Sequence, residues 1–250
     1  MKQIQLIFLF TLSMLSSRAQ FVEQGEIEFE MKTNVKKSMG NSSWAEMMKD
    51  KMPDFKTIYY KLNFDNGRTS FQYLRWDNKD AFPGMMSQSD DKSAWFANHH
   101  TGMFQMTKEV FGSPFNISDS LPRIEWRLFN ENRIIAGYNC RKAMGKIMDS
   151  VYVFAFYTDE ITTPGGPCSV GGLPGMILGM TIPRLYTSWI ATKVTPIENG
   201  KFTSTEFLKT NAFNMKSAVA TMQDKTKDWV DVNDPESLQW IRMMTWWLQL

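Results

Sequence analysis

The sequence predicts a mainly β protein: a single curled antiparallel sheet, half-barrel-like, with a few covering helices that include one at the C-terminus. Three observations support this fold class. Residues 25–31 alternate acidic and apolar side chains with a period of two, which is typical of a half-buried strand. Further β-branched and aromatic runs occur in pairs around short turn sequences, as in consecutive hairpins. Helical periodicity is confined to a few short segments.

The predicted hairpins follow one another along the chain. The clearest turn is Asp65-Asn66-Gly67, because Asn-Gly is the strongest short hairpin signal. A second turn is predicted at residues 99–102 and a third at Asn130-Glu131-Asn132. A pair of strands surrounds Pro183-Arg184, and residues 150–157 form one further strand. The strands of the four hairpins are predicted at residues 56–64 and 69–76, 94–98 and 103–110, 124–129 and 133–142, and 176–182 and 185–194.

Three helices are predicted. The first begins at Ser42 and ends before Pro53, and the second spans residues 214–223. The last begins at Asp234, because proline is favoured at the first helical position and Pro235 follows directly. No repeat or long linker interrupts residues 21–250, so we expect a single domain there.

The first twenty residues have the pattern of a cleaved export signal. Lys2 precedes an apolar run at residues 4–15, and Ser17-Arg18-Ala19 is typical of a cleavage site. A retained signal anchor is the alternative. We expect cleavage near Ala19 or Gln20 and a soluble periplasmic protein. No later stretch approaches the roughly 20 apolar residues that a transmembrane helix needs.

Composition argues against a nucleic-acid partner. The chain has 28 basic and 26 acidic residues, and the two basic residues Lys2 and Arg18 lie in the predicted signal. The remaining chain is therefore balanced, without the positive excess that phosphate backbones attract. Catalytic patterns are also missing from the sequence, which holds two histidines and neither a nucleophile elbow nor a phosphate-binding loop. We expect no enzymatic activity, no catalytic residues and no cofactor.

One stretch resembles a copper site, which is the alternative function. His99, His100, Met103 and Met106 combine the imidazole and thioether ligands that suit Cu(I). If residues 103–110 form a strand, however, Met103 and Met106 project from opposite faces. Since the chain contains 19 methionines, packing in the core is the competing explanation.

Tryptophan is abundant and supports a second hypothesis. Under this hypothesis, some of the indoles line an apolar groove on a concave aromatic face, and this groove holds a hydrophobic small ligand, a lipid or a peptide. The alternative is that they fill the interior of the curled sheet. The residues concerned are Trp76, Trp95, Trp126, Trp189, Trp229, Trp240, Trp246 and Trp247.

The most specific motif is Gly172-Leu173-Pro174-Gly175-Met176-Ile177. Residues 135–143, 156–161 and Glu125-Trp126 precede it with matching order and spacing. Together these segments resemble the GLPGLI family of exported Bacteroidetes proteins. The resemblance implies a domain of unknown biochemical function in organisms rich in outer-membrane nutrient transporters, which makes such a transporter a candidate partner.

The motif also predicts a local structure and a candidate site. Proline at the second position and glycine at the third favour a type II turn over residues 173–176. A rigid turn that positions the next strand is one explanation for the motif. A ligand site beside the turn is the other, because glycines allow a ligand to approach the main chain. The candidate residues are Gly172, Leu173, Pro174 and Gly175, with Tyr138, Trp126 and Tyr157 nearby.

The chain contains only two cysteines, Cys140 and Cys168. Disulfides persist in exported proteins, so we expect these two to pair. Such a bridge would stabilise the fold by about 3 kcal/mol. Free buried thiols are the alternative. The sequence therefore favours a non-catalytic exported binding or accessory protein.

Overall fold

The computed structural model describes residues 21–40, 46–48, 50–82, 90–148, 150–197, 212–231 and 233–250. Over these ranges eleven strands form one antiparallel sheet, so the predicted fold class is confirmed. The predicted signal segment lies outside them. The strands are β1 Gln24–Asn34, β2 Phe55–Asp65, β3 Arg68–Trp76, β4 Ala94–Asn98, β5 Met103–Val110, β6 Ser113–Ser120, β7 Arg127–Ile135, β8 Tyr138–Ile147, β9 Val151–Thr158, β10 Met176–Ile182 and β11 Thr187–Pro196.

The strand order is β6-β5-β4-β3-β2-β1-β11-β10-β9-β8-β7. Strand β1 lies at the centre, where it pairs with β2 on one side and with β11 on the other. The sheet is open, and β6 and β7 form its two edges. Its two ends nevertheless approach each other, because Phe104 of β5 and Ile147 of β8 line the same cavity. The sheet is therefore curled.

The turn at Asn66-Gly67 is confirmed. Both residues have positive φ, 41° and 72°, as a two-residue hairpin turn requires. The predicted turn at Asn130-Glu131-Asn132 is wrong, because these residues lie in an irregular part of β7. The hairpin instead turns at Ala136-Gly137, where φ is 50° and 89°. A polar tripeptide resembles a turn, but the register of β7 and β8 is set by the tighter turn beyond it.

Strand β6 has no counterpart in the sequence prediction. It follows the turn at Phe111-Gly112, where both φ angles are positive, and its second residue is Pro114. A proline and several polar residues argue against a central strand, but an edge strand tolerates proline. The edge position of β6 therefore explains why its sequence has a weak strand pattern.

The structure contains α1 Val35–Ser38, α2 Met215–Thr226 and α3 Pro235–Gln249. The helices predicted near residue 214 and from Asp234 are confirmed as α2 and α3. Each starts where a side chain accepts backbone hydrogen bonds: Asn214 from Ser217, and Asp234 from Ser237. Residues 46–48 are helical, while residues 42–45 of the predicted first helix lie outside the described ranges. No helix in the part of the chain that the structure describes is long and apolar enough to cross a membrane.

The inner face of the sheet is covered by the chain itself. Residues 159–175 connect β9 to β10, and we call this segment the inner loop. It is largely buried, and it reaches the other half of the sheet, where Thr163 Oγ1 accepts from the Gly67 amide at 3.4 Å. Helix α3 also packs against this core, because the Lys108 ammonium group binds the Trp247 carbonyl oxygen and lies 5.5 Å from the Trp95 ring.

Candidate functional site

The backbone polar groups of the inner loop form hydrogen bonds within the loop and with the adjoining strand β10. The Gly172 amide donates to Pro164 O at 3.2 Å, and the Ile177 amide donates to Gly165 O at 2.8 Å. Its glycines are needed for close packing, since a Cβ atom on Gly165 would lie 2.7 Å from Thr69 Cγ2. A buried irregular segment must pair its polar groups in this way to be stable. The glycine-rich stretch is therefore a packed component of the core.

The turn of the motif differs from the predicted type II turn. The Gly175 amide donates to Leu173 O at 2.8 Å, which makes a three-residue γ-turn centred on Pro174. The Met176 amide donates instead to Ile161 O. Gly175 has φ of +138°, and a Cβ atom there would lie 2.0 Å from Thr158 O. Position 175 therefore requires glycine both for its conformation and for space.

The structure brings some of the predicted motif residues together. Trp126 Nε1 donates to Gly171 O at 3.0 Å and lies beside Gly172. Gly172 and Pro174 are exposed, whereas Leu173 between them is buried. The exposed part of the motif is thus a narrow strip of main chain next to a half-buried indole.

The two predicted tyrosines lie on the neighbouring strands β8 and β9 and differ in burial. Tyr157 is buried on β9, opposite Ile177 of β10. Tyr138 begins β8 at the surface, where partial burial and the nearby Glu160 carboxylate raise its pKa. Of the three predicted aromatic residues, Tyr157 is therefore enclosed in the core, whereas Trp126 and Tyr138 are partly exposed.

The predicted copper ligands point in different directions. Met103 is 45% exposed whereas Met106 is buried, as strand alternation requires. His99 packs under the inner loop with Nε2 at 3.4 Å from Thr69 Oγ1, while His100 Nε2 lies 2.7 Å from Asn66 O. No group of three or more His, Cys, Asp or Glu side chains able to hold a metal ion occurs among the residues described. Copper binding stays a prediction.

The imidazole of His99 has a strongly lowered pKa. Burial is the main cause, and together with the neighbouring charge of His100 it lowers the pKa to about 4. The ring lies close to the main chain of the inner loop, because a Cβ on Gly171 would be 3.4 Å from His99 Cε1. A neutral imidazole therefore forms part of the packing between β4 and the inner loop.

The predicted disulfide is not formed in the structure, where both cysteines are buried free thiols. Cys140 lies on β8 near Glu160, whereas the inner loop carries Cys168 towards Lys108. The two thiols therefore differ in their charged neighbours. Burial raises the pKa of each thiol to about 12. The prediction did not account for the course of the inner loop across the sheet.

The tryptophans divide between the core and the surface. Trp76, Trp95 and Trp189 are buried, as the core-packing alternative predicted. Trp189 also packs against Trp247 of α3, with ring centroids 6.4 Å apart. Trp229, in contrast, is 59% exposed. The core therefore explains some of the tryptophan excess, and at least one indole projects into solvent.

Trp229 belongs to a surface group of three rings, Phe111, Trp229 and Trp240, which we call the aromatic cluster. The centroid of Phe111 lies 5.2 Å from that of Trp229 in an edge-to-face arrangement and 5.6 Å from that of Trp240. Phe111 is at the β5–β6 turn, Trp229 follows α2 and Trp240 lies in α3. The cluster is assembled from three separate segments, and Phe111 was not among the residues selected from the sequence.

A small cavity lies between the ends of the curled sheet. Its volume is about 190 Å³, and its walls are mainly apolar. The carboxylate of Asp119 in its lining already accepts the Met215 amide at 2.9 Å. Other lining residues include Phe104, Ile147, Val170 and Leu250. This space is smaller than typical small-molecule pockets, which have volumes of about 300–1,000 Å³.

Comparison with known proteins identifies a family. The sequence profile of the family described as "N-glycanase peptide, N-terminal domain" matches residues 89–224, more than half of the chain. No curated protein sequence matches the chain. The profile does not bear on the GLPGLI resemblance, which stays a prediction.

The solved structures similar to this chain include two of PNGF-II and one of an uncharacterized conserved protein. PNGF-II in space groups C2 and P21 aligns with TM-scores of 0.49 and 0.47, at 15% and 17% identity. These alignments cover 80% and 77% of this chain but only 32% and 31% of PNGF-II, so the chain spans about a third of its length. An uncharacterized conserved protein from Thermus thermophilus aligns with a TM-score of 0.37 at 5% identity, covering 82% of this chain and 96% of that one.

Proposed function

Because this chain belongs to the family of N-glycanase N-terminal domains, we propose that it is a non-catalytic exported binding domain that recognises carbohydrate on glycoproteins through its aromatic cluster. The family description names an N-terminal domain of an enzyme that acts on N-glycans. A domain that holds the glycan-bearing protein would complement such an enzyme without carrying out the reaction.

The observation that carries this proposal is the exposure of Trp229 beside Phe111. Trp229 is 59% and Phe111 44% exposed, although both are large apolar side chains. Clustered apolar side chains at a surface mark interaction sites. The faces of aromatic rings are electron-rich, and they attract the weakly positive C–H groups on the apolar faces of sugar rings. The aromatic cluster therefore offers a surface suited to pyranose rings.

The cluster is also held in place. Phe111 is fixed at the turn between two paired strands, and its ring contacts both indoles. Trp229 lies in the single helical turn Lys227–Trp229, which directly continues α2. A binding surface that is ordered before its ligand arrives loses less conformational entropy on binding. This arrangement favours the aromatic cluster over the concave face, where side chains of the chain itself occupy the interior.

The test is a titration of the chain with an N-glycopeptide and with the same peptide lacking its glycan. We expect only the glycopeptide to bind, with a change in tryptophan fluorescence. Trp229→Ala should weaken binding about tenfold, which corresponds to about 1.4 kcal/mol. Tyr152→Ala is the matched control, because Tyr152 is similarly exposed but lies on β9. Equal binding of both peptides, or unchanged binding by Trp229→Ala and Phe111→Ala, would refute the proposal.

A glycan-release assay tests whether the chain is itself an enzyme. The chain is incubated with a glycoprotein, and released glycans are quantified by mass spectrometry. We expect no release above that of a heat-denatured sample. Release that depends on chain concentration would show that this domain is itself an enzyme.

A further inference from the structure

The two edge strands of the sheet differ in whether another described segment pairs with them. At the β6 edge, Phe213 adds a short parallel bridge: its amide donates to Asn116 O at 2.8 Å, and its carbonyl accepts from Ser118 at 2.9 Å. Strand β7 pairs with β8 alone among the described residues. An edge strand offers a row of backbone groups for pairing with another chain. Strand β7 is therefore the available edge in the part of the sheet that is described.

The two faces of β7 carry different chemistry. Arg127 is opposite Met144 and Arg133 is opposite Cys140, so the two arginines lie on one face of the strand pair. Leu128 and Ile134 lie on the other face, and they are 41% and 67% exposed. A segment that paired beside β7 would meet cations on one face and apolar side chains on the other.

The arginines are positioned but not neutralised. Arg127 lies 5.3 Å from the centroid of Phe129, and Arg133 lies 4.6 Å from that of Phe156. Neither makes an ion pair with a described carboxylate, and the nearby Glu131 binds Lys142 instead. Stacking on an aromatic ring restricts a guanidinium group while leaving its charge available. These charges can therefore attract a carboxylate from a partner.

We propose that β7 is a docking edge for an extended segment of another protein, in which acidic residues alternate with apolar ones. The segment adds to the sheet as a further strand, with main-chain hydrogen bonds to β7. Its acidic side chains lie beside Arg127 and Arg133, and its apolar side chains cover Leu128 and Ile134. The irregularity between Leu128 and Asn132 divides β7 into two stretches, and the segment pairs with each of them, beside Arg127 and beside Arg133.

The same charges argue against self-pairing and against a purely protective role for the edge. A second copy pairing through its own β7 would bring arginines close to arginines, and like charges on adjacent strands are destabilising. Cations and bulges also protect edge strands from unwanted pairing. An edge that only prevented pairing with other strands, however, would not keep Ile134 two-thirds exposed. A partner segment with acidic side chains on one face and apolar side chains on the other would pair with the arginines and cover Leu128 and Ile134.

The experiment measures fluorescence anisotropy of a labelled eight-residue peptide of alternating Glu and Val with the full chain. Two further peptides serve as probes: one replaces every Glu by Lys, and one carries N-methyl groups on alternate amides so that it cannot pair as a strand. We expect micromolar binding of the Glu peptide only. Binding of the N-methylated peptide with equal affinity would overturn the proposal, because charge alone would then explain it. Absence of binding by the Glu peptide would also overturn it.

Charge reversal makes the test specific to β7. The double variant Arg127→Glu/Arg133→Glu should lose at least tenfold in affinity for the Glu peptide and gain affinity for the Lys peptide. Arg184→Glu is the matched control, because Arg184 also stacks on an aromatic ring, at 5.7 Å from Trp246, but lies beyond β10. Equal losses in both variants, or a dimer in sedimentation that the double variant abolishes, would refute the assignment. Trp229→Ala should leave peptide binding unchanged, which separates this proposal from glycan recognition.

Discussion

The indole of Trp126 is hydrogen-bonded to the carbonyl oxygen of Gly171 at 3.0 Å, across 45 positions of the chain. This bond fixes the segment before β7 to the inner loop. The same indole packs over Gly145 of β8, where a Cβ atom would lie 3.0 Å from Trp126 Cε3. Trp126 therefore links the edge of the sheet to the buried loop.

Trp126→Phe should lower the free energy of unfolding by about 1–3 kcal/mol, because the buried Gly171 carbonyl loses its donor. Urea denaturation of the variant and the wild type measures this difference. Trp229→Phe is the control: Trp229 is exposed, and its replacement should change stability by less than about 0.5 kcal/mol. Equal stability of Trp126→Phe and wild type would show that the hydrogen bond contributes nothing.

Gly175→Ala should destabilise the fold by about 4 kcal/mol, since the new methyl group would overlap the Thr158 carbonyl at a backbone conformation unfavourable for alanine. Gly112→Ala is matched in having a positive φ, but no atom lies within 4 Å of the position that its methyl group would occupy. It should cost only about 1 kcal/mol. Thermal unfolding of both variants compares them, and similar melting temperatures would contradict the steric argument.

His99 should make the protein less stable as the pH falls from 6.5 to 4. In the folded state its pKa is lowered to about 4, so over this interval the unfolded chain binds a proton that the folded protein excludes. The free energy of unfolding then decreases by up to about 1.4 kcal/mol per pH unit from this group, and the effect vanishes above the unfolded pKa. His99→Gln should remove this part of the slope. An unchanged slope in urea titrations across these pH values would count against a buried neutral imidazole.

Both cysteines should be unreactive in the native protein. Their pKa values of about 12 leave little thiolate at pH 8, and both side chains are buried. Ellman's reagent should therefore detect no thiol under native conditions and two thiols per chain in guanidinium chloride without reductant. A count of zero in the denatured sample would show that Cys140 and Cys168 form a disulfide.

Local sequence signals predicted those parts of the fold in which local and tertiary preferences agree. Asn66-Gly67 adopts positive φ easily, so its turn was predicted correctly. Ala136 at φ of 50° is locally unfavourable by about 1–2 kcal/mol, and only pairing of the long flanking strands offsets that cost. No pattern near Ala136 indicates this compensation.

The candidate site was less predictable than the fold. Trp229 and Trp240 were selected as part of an aromatic excess, but their contact with Phe111 depends on how the β5–β6 turn meets α2 and α3. Likewise, Gly175 was expected to have a positive φ, while the course of the inner loop across the sheet was not. Contacts between distant segments leave no periodic pattern in either partner.

The central position of β1 has a consequence for how the protein folds. Thr33 of β1 and Thr187 of β11 share a hydrogen bond at 2.9 Å although 154 positions separate them. As the chain folds, β1 can pair early with β2, but its other side has no neighbour until β11 joins the sheet. Contacts so distant in sequence make folding slow. The incomplete sheet therefore has an exposed, aggregation-prone edge at β1 until this late pairing forms.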